Sequence, residues 1–283
     1  MKELSILIVH YNTPGLLRQT LKGIRLSRPE FDYEVIVVDN NKNMRIDQMV
    51  KNEFPDVRVL LSEENLGFGR GMNAAIEAAE GKYVFIGNPD ICLFPGVFEE
   101  LVTYMDAHPD VGMVGPKLLN PDASVQYSCY RFSTPSVILS RRLPFAQRFK
   151  KPRAVVDRYL MKDFDHEEIR EVDYLLGAAI LVRGKAVEEV GVFDPEFFMY
   201  FEDQDLCRRF WKAGWRVIYH PKAELIHYHR RETAEGSFLS QLKNPLTRIQ
   251  MQSALYYYKK YKGESNPRHM HTRQSHASRL ELS

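Results

Sequence analysis

Four short apolar runs mark the first ninety residues: Leu4–Val9, Val35–Val38, Val57–Leu61 and Tyr83–Ile86. Each gives way to a polar cluster, namely His10-Tyr11-Asn12, Asp39-Asn40-Asn41, Glu64-Asn65 and Asn88-Pro89-Asp90. The runs are rich in β-branched or aromatic residues and do not alternate cleanly, the pattern of parallel strands buried on both faces. In an open α/β sheet, ligands bind beyond the carboxyl ends of the strands. The polar clusters therefore predict one site along one sheet edge.

Helical patterns lie between these runs. Thr13-Pro14 opens a helix to about Leu26, with proline at its first position. Others cover about Ile46–Asn52, Gly69–Ala79 with a stop at Gly81, and Pro95–Ala107 before Pro109. Strand and helix alternating at this spacing predict a doubly wound, mostly parallel α/β sheet with helices on both faces. After Val111–Pro116 the pattern changes, and Asn120-Pro121-Asp122-Ala123 between Leu118-Leu119 and Ser124–Tyr127 predicts a hairpin. Further on come strands at Val172–Leu176 and Ala179–Val182 and helices at Lys185–Val190 and Glu202–Gly214. Strands follow at Arg216–Tyr219 and Ala223–His227. An aromatic, basic C-terminal helix spans 246–262, and 265–283 reads as a polar, disordered tail. The predicted organisation is one domain over 1–240, with halves 1–116 and 117–240, then an extension over 241–264.

The segment 131–153 stands apart. It holds Arg131, Arg141, Arg142, Arg148, Lys150, Lys151 and Arg153, no acid, and apolar residues such as Leu139, Leu143 and Phe149 between them. It reads either as a solvated loop or as a basic amphipathic element for anionic headgroups. The tyrosines of 246–262 form a second candidate for contact with a membrane interface. The 283 residues carry a net charge of only +2, so nucleic acid is not an expected partner. Three cysteines without paired spacing argue against a disulfide framework or zinc knuckle. Met1-Lys2-Glu3 leads into too short a run for a signal peptide, and no stretch approaches a membrane span. The expectation is a cytoplasmic protein, peripheral at the inner face of the membrane.

Three clusters carry candidate chemistry. Asn88-Pro89-Asp90 ends a strand, where a carboxylate suits Mg²⁺ or Mn²⁺, although all three residues also form turns. Glu202 and Asp203 open a helix, which the macrodipole alone explains. The aromatics before them, Phe193 to Phe201, would desolvate a carboxylate and strengthen it as a general base. His227 and His229, two apart at a strand end, share a face and could meet one ion.

Together these residues resemble glycosyltransferase family 2, the inverting GT-A group, in its bacterial rhamnosyltransferase-like branch. The resemblance rests on Val9-His10-Tyr11-Asn12, Val37-Val38-Asp39-Asn40, Glu64-Asn65-Leu66-Gly67-Phe68-Gly69 with Asn73, and Asn88-Pro89-Asp90. Downstream it adds Gly177-Ala178, Gly191-Val192-Phe193-Asp194 and Tyr200 to Leu206. It implies that Asp39 recognises the nucleotide base, with Tyr11, Asn12 and Asn65 lining that pocket. Asn41, Gly67, Asn73 and Asn88 belong to the same nucleotide site, with Arg70 as a helper at the diphosphate. It implies Asp90 and His227 as ligands of Mg²⁺ or Mn²⁺, with His229 a weaker candidate, and Asp203 beside Glu202 as the general base. Asn88 stands where the family has its first aspartate, and Asn41-Lys42-Asn43 replaces small hydroxyl residues.

The implied reaction moves L-rhamnose from dTDP-L-rhamnose to a saccharide or lipid-linked saccharide in surface-polysaccharide synthesis. A UDP-hexose donor is the nearest alternative. His10-Tyr11-Asn12-Thr13-Pro14-Gly15 lacks the glycine-rich basic loop of a sugar nucleotidyltransferase. A non-catalytic sugar-nucleotide scaffold would lack a base or a ligand, whereas Asp90, Asp203 and His227 are all present.

Overall fold

The computed structural model describes residues 2–143, 146–228 and 244–269, except for the side chain of residue 147. His229, Phe145 and the tail beyond 269 lie outside the described residues. The first half runs β1 (Lys2–His10), α1 (Pro14–Ser27), β2 (Tyr33–Asp39), α2 (Asp47–Glu53), β3 (Val57–Leu61), α3 (Gly67–Glu77) and β4 (Gly81–Gly87). It continues through β5 (Ile91–Leu93), α4 (Val97–Ala107) and β6 (Val111–Leu119). Then come β7 (Val125–Gln126), β8 (Cys129–Tyr130), α5 (Pro135–Arg142) and α6 (Lys150–Tyr159). The chain closes with β9 (Arg170–Glu171), β10 (Tyr174–Leu175), β11 (Ala179–Arg183), α7 (Gly184–Val190), α8 (Glu202–Lys212), β12 (Arg216–His227) and α9 (Pro245–Lys260).

One sheet runs through both halves in the order β3-β2-β1-β4-β11-β6-β12-β5. The strands β3, β2, β1 and β4 are mutually parallel, as are β6 and β12. Antiparallel β11 lies between β4 and β6, and antiparallel β5 closes the edge against β12. The unbroken apolar runs have the expected cause. On β1, Leu4, Ile6 and Ile8 enter one core with α1, α2 and α4, while Leu7 and Val9 enter a second core shared with α3 and α8. Helices therefore cover both faces, and the strand ends that carry polar clusters stay at the rim.

Three expectations change. The separate strands predicted at Arg216–Tyr219 and Ala223–His227 are one strand, β12, whose register slips between His220 and Glu224. The strand predicted at Val172–Leu176 shrinks to β10, which pairs with β8 in a two-stranded ribbon. The basic segment is not a loop but contains α5 and the start of α6. The hairpin is borne out as β6–β7, with Leu118 opposite Gln126. Among the described residues no helix is long and apolar enough to cross a membrane.

The C-terminal helix turns its tyrosines inward rather than toward an interface. Tyr257 and Tyr261 join Phe197, Phe201 and Ala254 in a third buried cluster. Lys260 Nζ lies 2.5 Å from Asp194 and 2.6 Å from Asp205, while Tyr256 and Tyr261 donate hydroxyls to the same two acids. Burial works against the Lys260 charge, but the two carboxylates outweigh it and raise its pKa. The stretch 265–269 is also tied back, with Arg208 donating to the Ser265 carbonyl and Asn266 to Asp173. We predict that Tyr257→Ala lowers the free energy of unfolding by about 3 kcal/mol, the cost of emptying a large buried aromatic site. Urea denaturation measures it, and a change within error would show that α9 is not part of the cooperative fold.

Candidate functional site

The carboxyl ends of β1, β2 and β4 bring three polar clusters to one edge, but several side chains there face inward. His10 and Asp39 are paired across β1 and β2, fully buried, with His10 Nδ1 3.2 Å from Asp39 Oδ1. His10 Nε2 accepts the Thr13 N–H, so Nδ1 carries the ring proton. Burial lowers the pKa of His10, against a smaller opposing effect of Asp39. Asp39 also accepts the N–H groups of Asn41 and Ile46. The carboxylate expected to recognise a base thus shapes the 39–46 loop from beneath. Beside it Asn41 donates to Asn12, which takes a left-handed backbone at φ 58°, and Tyr11 is half exposed. Tyr11 and Asn12 line the rim, and the buried Asn41, which also accepts the Asn43 N–H, holds Asn12 there.

A second group of expected nucleotide residues positions the loop that approaches from the other half. Asn65 accepts the Gly67 N–H, and Asn40 donates to the Gly67 carbonyl. A Cβ on Gly67, at φ +75°, would sit 2.1 Å from the Phe198 carbonyl oxygen, so only glycine allows this contact. Asn73 bonds both backbone groups of Phe193, at 2.8 and 2.9 Å. Arg70 reaches outward and pairs with Glu64 at 3.1 Å. Gly67 and Asn73 therefore fasten 193–201 against α3.

That loop delivers the two acids. Tyr200 and Phe201 both adopt left-handed backbones, at φ 71° and 70°, immediately before Glu202. Such conformations cost bulky residues roughly 1–3 kcal/mol each and persist only when the surroundings enforce them. Glu202 is buried, and its Oε2 has no hydrogen-bond partner. Asp203 is partly exposed; its Oδ2 accepts the Gly177 N–H at 3.0 Å and its Oδ1 the Gln204 N–H at 2.8 Å. Burial raises both pKa values, and the charge of Asp203 raises Glu202 further, while two backbone N–H groups restrain Asp203. The neighbours are thereby sorted: Asp203 gives up its proton more readily than Glu202.

The metal candidates meet at the same edge. The Asn88 N–H donates to the Ala178 carbonyl, next to the Gly177 that holds Asp203. Two consecutive residues thus link the base candidate to the Asn88-Pro89-Asp90 turn. Asp90 Oδ1 is buried without a hydrogen-bond partner, 3.3 Å from His227 Nε2. The Asn88 amide lies 3.3 Å from that same nitrogen. Gln126 on β7, which the sequence reading missed, explains the ring orientation. Its amide nitrogen donates to Asn120 and to the His227 carbonyl, leaving Oε1 to accept from His227 Nδ1 at 2.6 Å. Nε2 is thereby turned toward Asp90, the arrangement by which a neighbour orients a ligating histidine. Among the described residues no group of three or more His, Cys, Asp or Glu gathers. One carboxylate and one imidazole fit a hard divalent ion whose shell is completed by phosphate oxygens and water.

Comparisons with known proteins agree with this architecture. The family profile for glycosyl transferase family 2 matches residues 5–169. An N-acetylglucosaminyl-diphospho-decaprenol L-rhamnosyltransferase of Mycobacterium tuberculosis is 31% identical over 241 residues, covering 81% of this chain and 77% of the relative. Rhamnosyltransferase WbbL of Escherichia coli K12 is 26% identical over 247 residues, covering 83% and 86%. In fold, the chain is similar to the crystal structure of GalNAc-T7 with UDP, GalNAc and Mn²⁺, with a TM-score of 0.62 and 16% identity. That match covers 86% of this chain and 48% of the other. The S. aureus TarS 1-349 complex with UDP-GlcNAc follows, with a TM-score of 0.55 and 18% identity over 84% and 60%.

The raised Glu202 pKa makes a testable statement about stability. A carboxyl whose folded pKa exceeds its unfolded value, about 4.3, costs no stability below that value and loses it progressively as pH rises through the folded pKa. Glu202→Gln should therefore match the parent near pH 4 and unfold at a higher temperature than it at pH 8. Parallel melting curves across that range would reject the buried neutral acid.

Proposed function

The chain belongs to glycosyl transferase family 2, and we propose that it moves L-rhamnose from dTDP-L-rhamnose to a saccharide or lipid-linked saccharide, with inversion. The rhamnosyl donor and the lipid-linked acceptor rest on the two relatives named for that chemistry. The observation that carries the mechanism is the sorted pair: Asp203 is partly open and restrained by two N–H groups, and a two-residue link joins it to the Asn88–Asp90 turn.

Asp203 accepts the proton of the acceptor hydroxyl as its oxygen attacks the anomeric carbon. The bond from that carbon to the diphosphate oxygen breaks on the opposite side, so one displacement inverts the centre. Gly177 orients the carboxylate, and a Cβ there would press on Asp203 at 3.3 Å. Glu202, the more reluctant of the two to ionise, limits the negative charge beside the incoming diphosphate. Tyr11 and Asn12 contact the nucleotide at the rim, the buried Asn41 fixes Asn12, Asn65, Gly67 and Asn73 hold the 193–201 loop in place, and Arg70 helps at the diphosphate. Asp90 and His227, turned by Gln126 and flanked by Asn88, would hold Mg²⁺ or Mn²⁺. Such an ion supplies charge neutralisation for the departing nucleoside diphosphate.

Two measurements test this reading. Asp203→Asn should reduce turnover by roughly 10²–10⁴-fold while the nucleotide still binds, because only proton transfer is lost. Turnover within a few-fold of the parent would remove Asp203 from the role. Thermal unfolding with dTDP, UDP, GDP and their sugars should show the largest stabilisation with dTDP-rhamnose plus Mn²⁺ or Mg²⁺. At about a hundred times its dissociation constant a ligand adds roughly 2.7 kcal/mol. Asp90→Ala should abolish the metal dependence of that shift. A UDP-sugar as best ligand would move the donor, and no response to any nucleotide would favour the scaffold.

A further inference from the structure

We infer that α5, the turn into α6 and the outer stripe of α9 form one docking surface for an anionic lipid bilayer. This deepens the lipid-linked acceptor reading but rests on its own observations. The helix α5 lies against α9 through its Ile138 side, which packs on the third cluster, and through Arg142, which donates to Gln250. One step around the same helix, Leu139 and Leu143 stand four residues apart and point outward. On α9 the inward side holds Ala254, Tyr257 and Tyr261, and the outward stripe reads Arg248, Met251, Leu255, Lys259. The apolar tips are large and open: Phe149 and Leu255 are each 68% exposed and Leu139 59%. Scattered exposed leucines need no explanation, but five large ones on adjoining elements do.

Charge identifies the occupant. Neither 131–153 nor α9 contains an acid. Arg141, Lys150, Lys151, Arg248 and Lys259 make no ion pair among the described residues, in contrast to Lys260, which is spent on Asp194 and Asp205. A protein partner would need matching acids set around an apolar centre. A bilayer of anionic lipid offers both at once, headgroups for the cations and acyl chains for Phe149, Leu139 and Leu255. The surface also has a bonded link toward the candidate base. Beside it, residues of α5, α6, α8 and α9 line an open cavity of about 630 Å³. On its wall the Ser133 N–H donates to Gln204, the neighbour of Asp203. A chain docked by this face would hold its base candidate near the headgroups, where a lipid-linked saccharide presents its hydroxyl.

The test is co-sedimentation of the full chain with vesicles of phosphatidylcholine alone or of equal parts phosphatidylcholine and phosphatidylglycerol, in dilute and in concentrated salt. The expected result is binding to the anionic vesicles only. Lys150→Glu with Lys151→Glu should weaken it at least about tenfold, since each cation near such a surface contributes several-fold. Phe149→Ser with Leu255→Ser should remove the part that survives concentrated salt. Equal binding by parent and variants, or no binding to either vesicle, overturns the proposal. So does a parent that is dimeric in solution and made monomeric by Phe149→Ser with Leu255→Ser, without any lipid effect, since the face would then join two copies. Nucleotide-induced thermal stabilisation, measured on the same variants, separates the two readings: if it persists while vesicle binding fails, only the docking surface is lost.

Discussion

The site depends on a backbone corner that is unfavourable by itself. Two consecutive aromatics, Tyr200 and Phe201, take left-handed conformations just before Glu202 and Asp203, and nothing local rewards them for it. The compensation comes from far along the chain. Phe201 packs on Tyr257 and Tyr258 with ring centroids 5.4 and 5.9 Å apart, and Ser253 donates to the Met199 carbonyl. Burying such rings contributes roughly 1.5–3 kcal/mol each, enough to hold a corner of this kind. The C-terminal helix is thus a brace for the acids, and its ion pairs to Asp194 and Asp205 pin the loop on either side of them.

From the opposite direction, α3 supplies the second restraint. Its glycines let the 193–201 loop come within contact of the helix backbone, and Asn73 grips that loop through both Phe193 backbone groups. The acids are therefore clamped between α3 and α9, and the N–H of Gly177 aims one of them. Preorganisation of this kind lets a single carboxylate act without rearrangement at the moment of reaction.

Two adjacent acids acquire different chemistry from surroundings alone. Glu202 is buried with one oxygen unpartnered, whereas Asp203 accepts two backbone N–H groups and retains some exposure. A similar division separates the asparagines and aspartates of the first half. Asp39, Asn41 and Asn73 spend their polar atoms on the protein, while Asn12 stands exposed at the rim.

By itself the sequence determined the four parallel strands β1 to β4 and the α/β class, because strands buried on both faces must be unbroken apolar runs, and its motifs carried the family. It likewise placed the polar clusters at their ends, and the sheet set those ends along one edge. It marked Asp90, Asp203 and His227 as candidates, and the fold brings Asp90 beside His227. Which polar atoms are free was decided only by the fold, since that depends on partners far away in the chain. Asn73 is 120 residues from Phe193, and Gln126 is 101 from the histidine it orients. The same holds for the tyrosines of α9: composition presents them as an interface, and only packing against Phe197 and Phe201 turns them inward and leaves Leu255 outside. Local pattern sets which elements form, while burial, a property of the assembled chain, sets which side chains remain available to react.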